Sequence, residues 1–392
     1  MRSVASIKKF LLLGPLKFFI SVILIVSVLQ FSAQTCGAQV SPYPQSPVID
    51  SVTWEFGNLV QRAPGSDLWP ITWADDGHLY TSWGDGGGFG GTNSDGRVSL
   101  GFARIEGPPD NFTDVNVWGG KNPENLATFS GKSPGILSVN GILYAWIWPQ
   151  DGGEITMKLG WSSNKGQTWQ LSGWRFGQAD TLRDISFLNY GKDYQGARDG
   201  FVYGYALERG GTSDPANFFF TGGIHLLRVP KDHSSMINRA SYEFFSGLDG
   251  NGNPMWTSDI QQRQPVFSDS NGVGIPSVSY NPGINRYLLT MAHGPNADGV
   301  RKLGLFDAPE PWGPWTTVEY NNNWGGYSGF WLLYAIPTKT PDWMSTDGKT
   351  FHLVFSGKGS LDSFNLLKAT ITLKNQQGDT IPPDPPVNLQ AN

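Results

Sequence analysis

Apolar residues run along this chain in short stretches, cut at intervals by Gly, Asn and Asp. Leu68–Trp73 and Leu79–Trp83 flank Asp75-Asp76-Gly77. An Asp-Gly pair between two such stretches predicts a hairpin, because its central positions take positive φ. Folding about Asp76–Gly77 brings Asp67 almost opposite Asp85, at the head of the Gly-rich run Gly84–Gly91. A turn one residue longer or shorter would move one carboxylate to the other face. The same strand–turn–strand pattern returns at Asn140-Gly141, Asp199-Gly200, Asn285 and Asp347-Gly348. A third apolar strand follows each time: Ser99–Ile105, Met157–Ser162, Gly223–Val229, Lys302–Phe306 and Asn365–Ile371.

Units of three or four antiparallel strands, repeating at roughly 60–85 residues, predict propeller blades. The expected fold is an all-β, five-bladed β-propeller, with blades near 66–118, 130–175, 182–258, 272–320 and 327–372. Such a ring must close to remove its free sheet edges, so Val52–Val60 is expected to add a strand to the last blade. Ser162-Ser163-Asn164-Lys165-Gly166-Gln167-Thr168-Trp169 has the spacing of an Asp-box, a structural turn between outer blade strands. Trp312-Gly313-Pro314-Trp315 holds the matching place in the fourth unit. The third unit carries the longest insertions, Gly191–Arg198 and Gly210–Phe218.

Composition supports many short strands. Fifty Gly and 27 Pro among 392 residues disfavour long helices. Residues 1–38 read as a signal peptide: Arg2, Lys8 and Lys9 precede the apolar run Phe18–Leu29, and Cys36-Gly37-Ala38 offers small residues for cleavage. A retained membrane anchor and a lipoprotein site at Cys36 are the alternatives; Lys17 and Gly14 shorten the run for the first. The segment holds four basic residues and no acidic ones, so its removal takes the net charge from −5 to about −9. That balance disfavours nucleic acid and anionic membrane surfaces as partners. Cys36 is the only cysteine, which leaves no disulfide and no zinc–thiolate site. Residues 39–50 read as a linker, 51–375 as the propeller, and 376–392 as a Pro-rich linker resembling the entry to a fibronectin type III module.

Inner propeller strands run along the central axis, so their starts converge on one mouth. Asp67 starts the first, and Asp85 ends the strand returning beside it. Glycoside hydrolysis commonly uses two carboxyl groups, about 5–5.5 Å apart for retention and about 6.5–9.5 Å for inversion. Asp67 and Asp85 are the candidate pair; the alternative is that both are turn residues. Trp83, Tyr327 and Trp331 flank strand ends and could stack on sugar rings, while Lys132, Arg183 and Asp184 occupy equivalent strand starts and His293 ends a strand. These seven are the candidate substrate-binding residues. The five His have no metal-ligand spacing, and no metal or cofactor is expected. Gly131-Lys132-Ser133-Pro134-Gly135 fits a serine-hydrolase elbow, but no helix is predicted after it. Asp249-Gly250-Asn251-Gly252-Asn253 imitates a calcium loop, but Pro254 stands where Gly is needed.

Ser66–Gly91, Ser99–Pro108, Trp312-Gly313-Pro314-Trp315 and Tyr334–Gly348 resemble a secreted bacterial propeller family, long of unknown function, that includes the endo-D-arabinanases of glycoside hydrolase family 183. The resemblance covers about residues 50–372. It implies a five-bladed propeller that cleaves a furanoside-containing polysaccharide with two Asp residues, here Asp67 and Asp85. The expectation is therefore a secreted, monomeric glycan-active enzyme with a polysaccharide partner. Two alternatives stand beside it: a polysaccharide lyase using His293 and Tyr327 with Lys or Arg, and a non-catalytic glycan-binding propeller.

Overall fold

A computed structural model describes residues 40–151, 156–208, 221–294, 302–327, 333–358 and 361–375. Residues 1–38, read above as a signal peptide, the Pro-rich tail, the Gly210–Phe218 insertion and Trp331 lie outside the described residues. Nearly everything described is strand or turn. In chain order the strands are β1 (Ile49–Trp54), β2 (Val60–Arg62), β3 (Asp67–Trp73), β4 (Leu79–Gly84), β5 (Leu100–Glu106), β6 (Thr113–Trp118), β7 (Gly131–Val139), β8 (Ile142–Pro149), β9 (Lys158–Ser162), β10 (Gln170–Leu171), β11 (Leu182–Asn189), β12 (Phe201–Glu208), β13 (Thr221–Pro230), β14 (Glu243–Leu248), β15 (Pro254–Thr257), β16 (Pro265–Val273), β17 (Ser277–Asn281), β18 (Arg286–Met291), β19 (Leu303–Ala308), β20 (Thr316–Asn321), β21 (Tyr334–Ala335), β22 (Thr350–Lys358) and β23 (Leu361–Leu373).

These strands form antiparallel meanders: β3–β6, β7–β10, β11–β15 with β16 paired to β13, β17–β20, and β21–β23. The third and fourth share a hydrogen-bonded sheet, because β11 and β17 pair in parallel through Leu188–Val278 and Asn189–Ser279. The first strands pack in succession, β3 on β7, β7 on β11, β11 on β17, β17 on β21 and β21 on β3. Each is an almost continuous buried run, as in β11, where every residue is buried. Strands covered on both faces need no polar alternation.

The amino-terminal stretch does join the last meander, but as two strands. A short turn at Phe56–Asn58 splits the expected single strand, and β1 and β2 both pair antiparallel with β23. Residues 41–47 are not a loose linker. Ser46 N–H donates to Thr317 O at 2.7 Å, Thr317 N–H donates to Pro44 O at 2.7 Å, and the Tyr43 ring lies 4.8 Å from Phe267.

Between the meanders the core is aromatic. Ser162–Trp169 forms the turn from β9 to β10: Gly166 N–H donates to Ser162 Oγ at 2.8 Å, and Trp169 stacks on Phe102 of the preceding sheet at 3.9 Å. Beneath the start of β3, Trp69 lies 5.7 Å from Trp83, 5.1 Å from Phe89 and 5.2 Å from Phe364. Each such pair adds about 0.5–1.5 kcal/mol beyond its buried area, so this cluster fixes the base on which Asp67 stands.

Candidate active site

The Asp76–Gly77 turn forms, with Gly77 at φ 87° and Asp76 accepting from His78 N–H and Tyr80 O–H. Asp67 pairs in register with Gly84, one residue before Asp85. The register is not uniform, however. Between Leu68 and Ile71 β3 carries one residue more than β4, and Leu68 and Trp69 take φ of 73° and 74°. Bulges re-aim side chains and cluster at functional sites. The same shift occurs in β7 between Lys132 and Gly135 and in β11 between Arg183 and Ser186. Three neighbouring first strands are thus bulged at one level, and each bulge adjoins charged candidates: Asp67, Lys132, and Arg183 with Asp184.

Two of those strands meet in one cluster. Lys132 Nζ lies 3.3 and 3.2 Å from the two Asp67 oxygens and 2.9 Å from Asp85 Oδ1. The nearest Asp67 and Asp85 oxygens are therefore no further apart than the sum of two salt-bridge distances. Arg97 holds the other Asp85 oxygen at 3.0 Å. Asp67 is only 5% exposed. Burial raises its pKa to about 6; Lys132 opposes the rise, and the charges of Asp362 and Asp85 add to it. Asp85 opens onto a surface groove of about 540 Å³, shared with Arg97, Ser99, Thr128, Phe129 and Gln150.

Gly84 allows this cluster to form. A Cβ at Gly84 would sit 2.2 Å from Asp67 Oδ1 and 2.7 Å from Lys132 Nζ. Gly84→Ala is therefore expected to displace the carboxylate and lower turnover about 100-fold, the cost of roughly 1 Å of misplacement, while the far-ultraviolet dichroism stays unchanged. Activity within twofold of wild type would show that the cluster tolerates the shift.

Several expected lining residues lie elsewhere. Trp83 is fully buried on Trp69, with Nε1 3.4 Å from Gly86 O; Gly88 and Gly101 close over its ring, so it is core and not cleft wall. His293 is also fully buried, stacked 3.6 Å from Tyr320 and 3.1 Å from Asn321 O. Tyr327 packs on Phe56 and Trp324 in the cluster of the last sheet. Arg183 and Asp184 are buried and pair at 3.4 Å, and burial raises the Asp184 pKa against the pull of Arg183. Ser133 is buried within β7 and donates to Gly135 O, which leaves no exposed nucleophile elbow. Asp249 accepts from Asn251 and Asn253 N–H in a simple turn. Among the described residues, no group of three or more His, Cys, Asp or Glu is placed to hold a metal.

Arg97 and Asp362 were missed from sequence. Arg97 had a legible signal: the loop from Asp85 must return to pair β5 with β4, which brings its end beside its start, and Asp85 N–H donates to Ser99 O at 3.3 Å. Asp362 had none, since it arrives from the far end of the chain on β23.

No family profile and no curated protein matches the sequence. Among solved structures, a Bacteroides ovatus protein aligns with a TM-score of 0.49 at 12% identity, over 86% of this chain and 97% of its own. An alpha-L-arabinofuranosidase of Podospora anserina, solved with cellotriose, aligns at 0.44 and 10% identity, over 78% of this chain and 91% of its own. A GH43_1 enzyme of Xanthomonas citri, solved with xylotriose, aligns at 0.42 and 15% identity, over 81% and 91%. At these values none of the likenesses assigns a function to this chain.

Proposed function

We propose that this chain is a glycoside hydrolase in which Asp67 protonates the departing glycosidic oxygen and Asp85 acts from the other side as nucleophile or base. The observation that carries the reading is the environment of the two groups. Asp67 is buried, with a pKa raised to about 6, while Asp85 stands at the groove between Arg97 and Lys132. Two carboxyl groups in such different surroundings divide into an acid and an ionised partner. Lys132 touches both and keeps them close without allowing them to share a proton. Their bridged spacing is compatible with the shorter separation of a retaining enzyme. In this reading Arg97, Phe129 and Gln150 hold the sugar residues beside the cleaved bond. Arg183 and Asp184, on the equivalent bulge of β11, support the cleft floor.

The successive meanders are read as a five-bladed propeller spanning 51–375, exported by the signal at 1–38 and acting outside the cytoplasm as a monomer. The substrate is a polysaccharide, with furanoside-containing glycans first among those to try. Incubation of the purified chain with plant, algal and mycobacterial glycans, followed by sizing of the products, tests the reading. Product release by the wild type and not by the Asp67→Asn/Asp85→Asn double variant supports it. Undiminished release by the double variant, or no release from any glycan, overturns it.

A further inference from the structure

The first strands have a second end. Asp67 begins β3 and Trp73 ends it, about 20 Å away along an extended strand. At that far end a cavity of about 260 Å³ is lined by Trp73, by Tyr190 just after β11, by Tyr280 near the end of β17, and by Thr338 just after β21. Lys192 completes it. We propose that this cavity binds a single sugar residue that carries a carboxylate, with the ring against the aromatic side chains and the carboxylate on Lys192.

Four observations point to a built site. Three of the lining residues are aromatic, Trp73 and the mutually packed Tyr190 and Tyr280, and aromatic rings take up the apolar faces of sugars, whereas a simple anion has no use for them. Its charge has one sign: Lys192 is the only charged residue in the lining, and it pairs with no carboxylate among the described residues. Two of the lining residues, Trp73 and Thr338, each hold a buried polar atom, Nε1 and Oγ1, with no hydrogen-bond partner among the described residues. Buried polar groups are nearly always satisfied, so each such atom calls for an explanation.

The fourth observation is strain. The turn that presents Lys192 holds two successive non-glycine residues in the left-handed region, Asp193 at φ 49° and Tyr194 at φ 62°. Such positions cost of order 1–3 kcal/mol each and persist only where their surroundings enforce them. Here Asp193 accepts from Ser138 Oγ at 2.7 Å and Gly141 N–H at 3.0 Å, and Tyr194 O–H accepts from Tyr203 N–H at 3.1 Å. Tyr190 is held by Tyr287 through their hydroxyls at 2.7 Å. The cavity is smaller than the ~300–1,000 Å³ of sites for drug-sized ligands, which suits one sugar residue and not a length of chain. The proposal does not depend on hydrolysis at Asp67; the two sites lie at opposite ends of β3.

Saturation-transfer NMR on the full chain, with D-glucuronate, D-glucose and acetate as probes, tests this. The expected result is transfer to glucuronate that neither of the other two matches. Lys192→Gln is expected to weaken it roughly 10-fold or more, the worth of a charge-assisted hydrogen bond, and to leave glycan hydrolysis unchanged. Trp73→Ala should abolish it; if that variant does not fold, Lys192→Gln decides alone. Glucose binding equal to glucuronate overturns the carboxylate, and acetate binding as tightly overturns the sugar. Absence of transfer, or transfer that survives Lys192→Gln and is lost in Asp85→Ala, overturns the site.

Discussion

Asp67→Asn is expected to reduce glycan hydrolysis about 10²–10⁴-fold, the usual contribution of a positioned acid, and at the same time to stabilise the fold above pH 6. Both effects come from one cause. The carboxyl is buried, beside the negative charges of Asp362 and Asp85, and its pKa is raised to about 6. Below that value it holds a proton and can donate it, so the alkaline limb of wild-type kcat/KM is expected near pH 6. In the unfolded chain the same group titrates at about 3.9. Between about pH 4 and 6 the native state therefore binds more protons than the unfolded state, and stability falls as pH rises through that window. The loss, on the order of 2–3 kcal/mol, is complete above pH 6. An amide cannot ionise and escapes it. Thermal melts should show Asp67→Asn above wild type at pH 8, with the curves converging near pH 3.5. A variant that melts lower than wild type at pH 8 would mean that the ionised Asp67–Lys132 pair is a net stabiliser, and the acid role would lose its support.

The hairpin that holds both acids was legible because its signals are local. Asp76-Gly77 fixes the turn, and counting outward from it along the two apolar stretches sets which residues face one another. The repetition of that pattern also marked where each meander begins. The bulges were not legible. Their left-handed residues in β3 are Leu68 and Trp69, followed by Pro70, and nothing in a Leu-Trp-Pro run announces positive φ. Tertiary packing imposes that backbone, with Trp69 buried among three other aromatic rings. For the same reason Trp83 read as a cleft residue: sequence shows that it adjoins Asp85, and only the folded Gly-rich loop shows that glycines seal its ring. His293 is buried for a similar reason, because an aromatic residue near a strand end serves core and cleft equally well. The approach of Lys132 to the two carboxylates was legible because it stands at the start of β7 as Asp67 stands at the start of β3. The equivalence is a property of the repeat, so sequence could supply it.

Asp85→Ala should cost at least about 10³-fold in turnover and also change the pH dependence of what remains. Asp85 lies between two cations, Lys132 at 2.9 Å and Arg97 at 3.0 Å. Its removal leaves a pocket the size of a small anion with both cations facing into it. Formate or azide is therefore expected to restore part of the activity, and neither should do so for Asp67→Asn, where the missing group is a proton donor. Asp85 is also one of the negative charges that raise the Asp67 pKa, whereas Lys132 lowers it. Without Asp85 the ammonium acts on Asp67 alone, so the alkaline limb of the residual activity moves below pH 6. A limb that stays in place would show that burial and Asp362 alone set the acid. The anomeric configuration of the first-formed product in the wild type then assigns the role of Asp85. Retention makes it the nucleophile, as its short bridge to Asp67 through Lys132 favours, and inversion makes it the base that activates water in the groove beside Arg97.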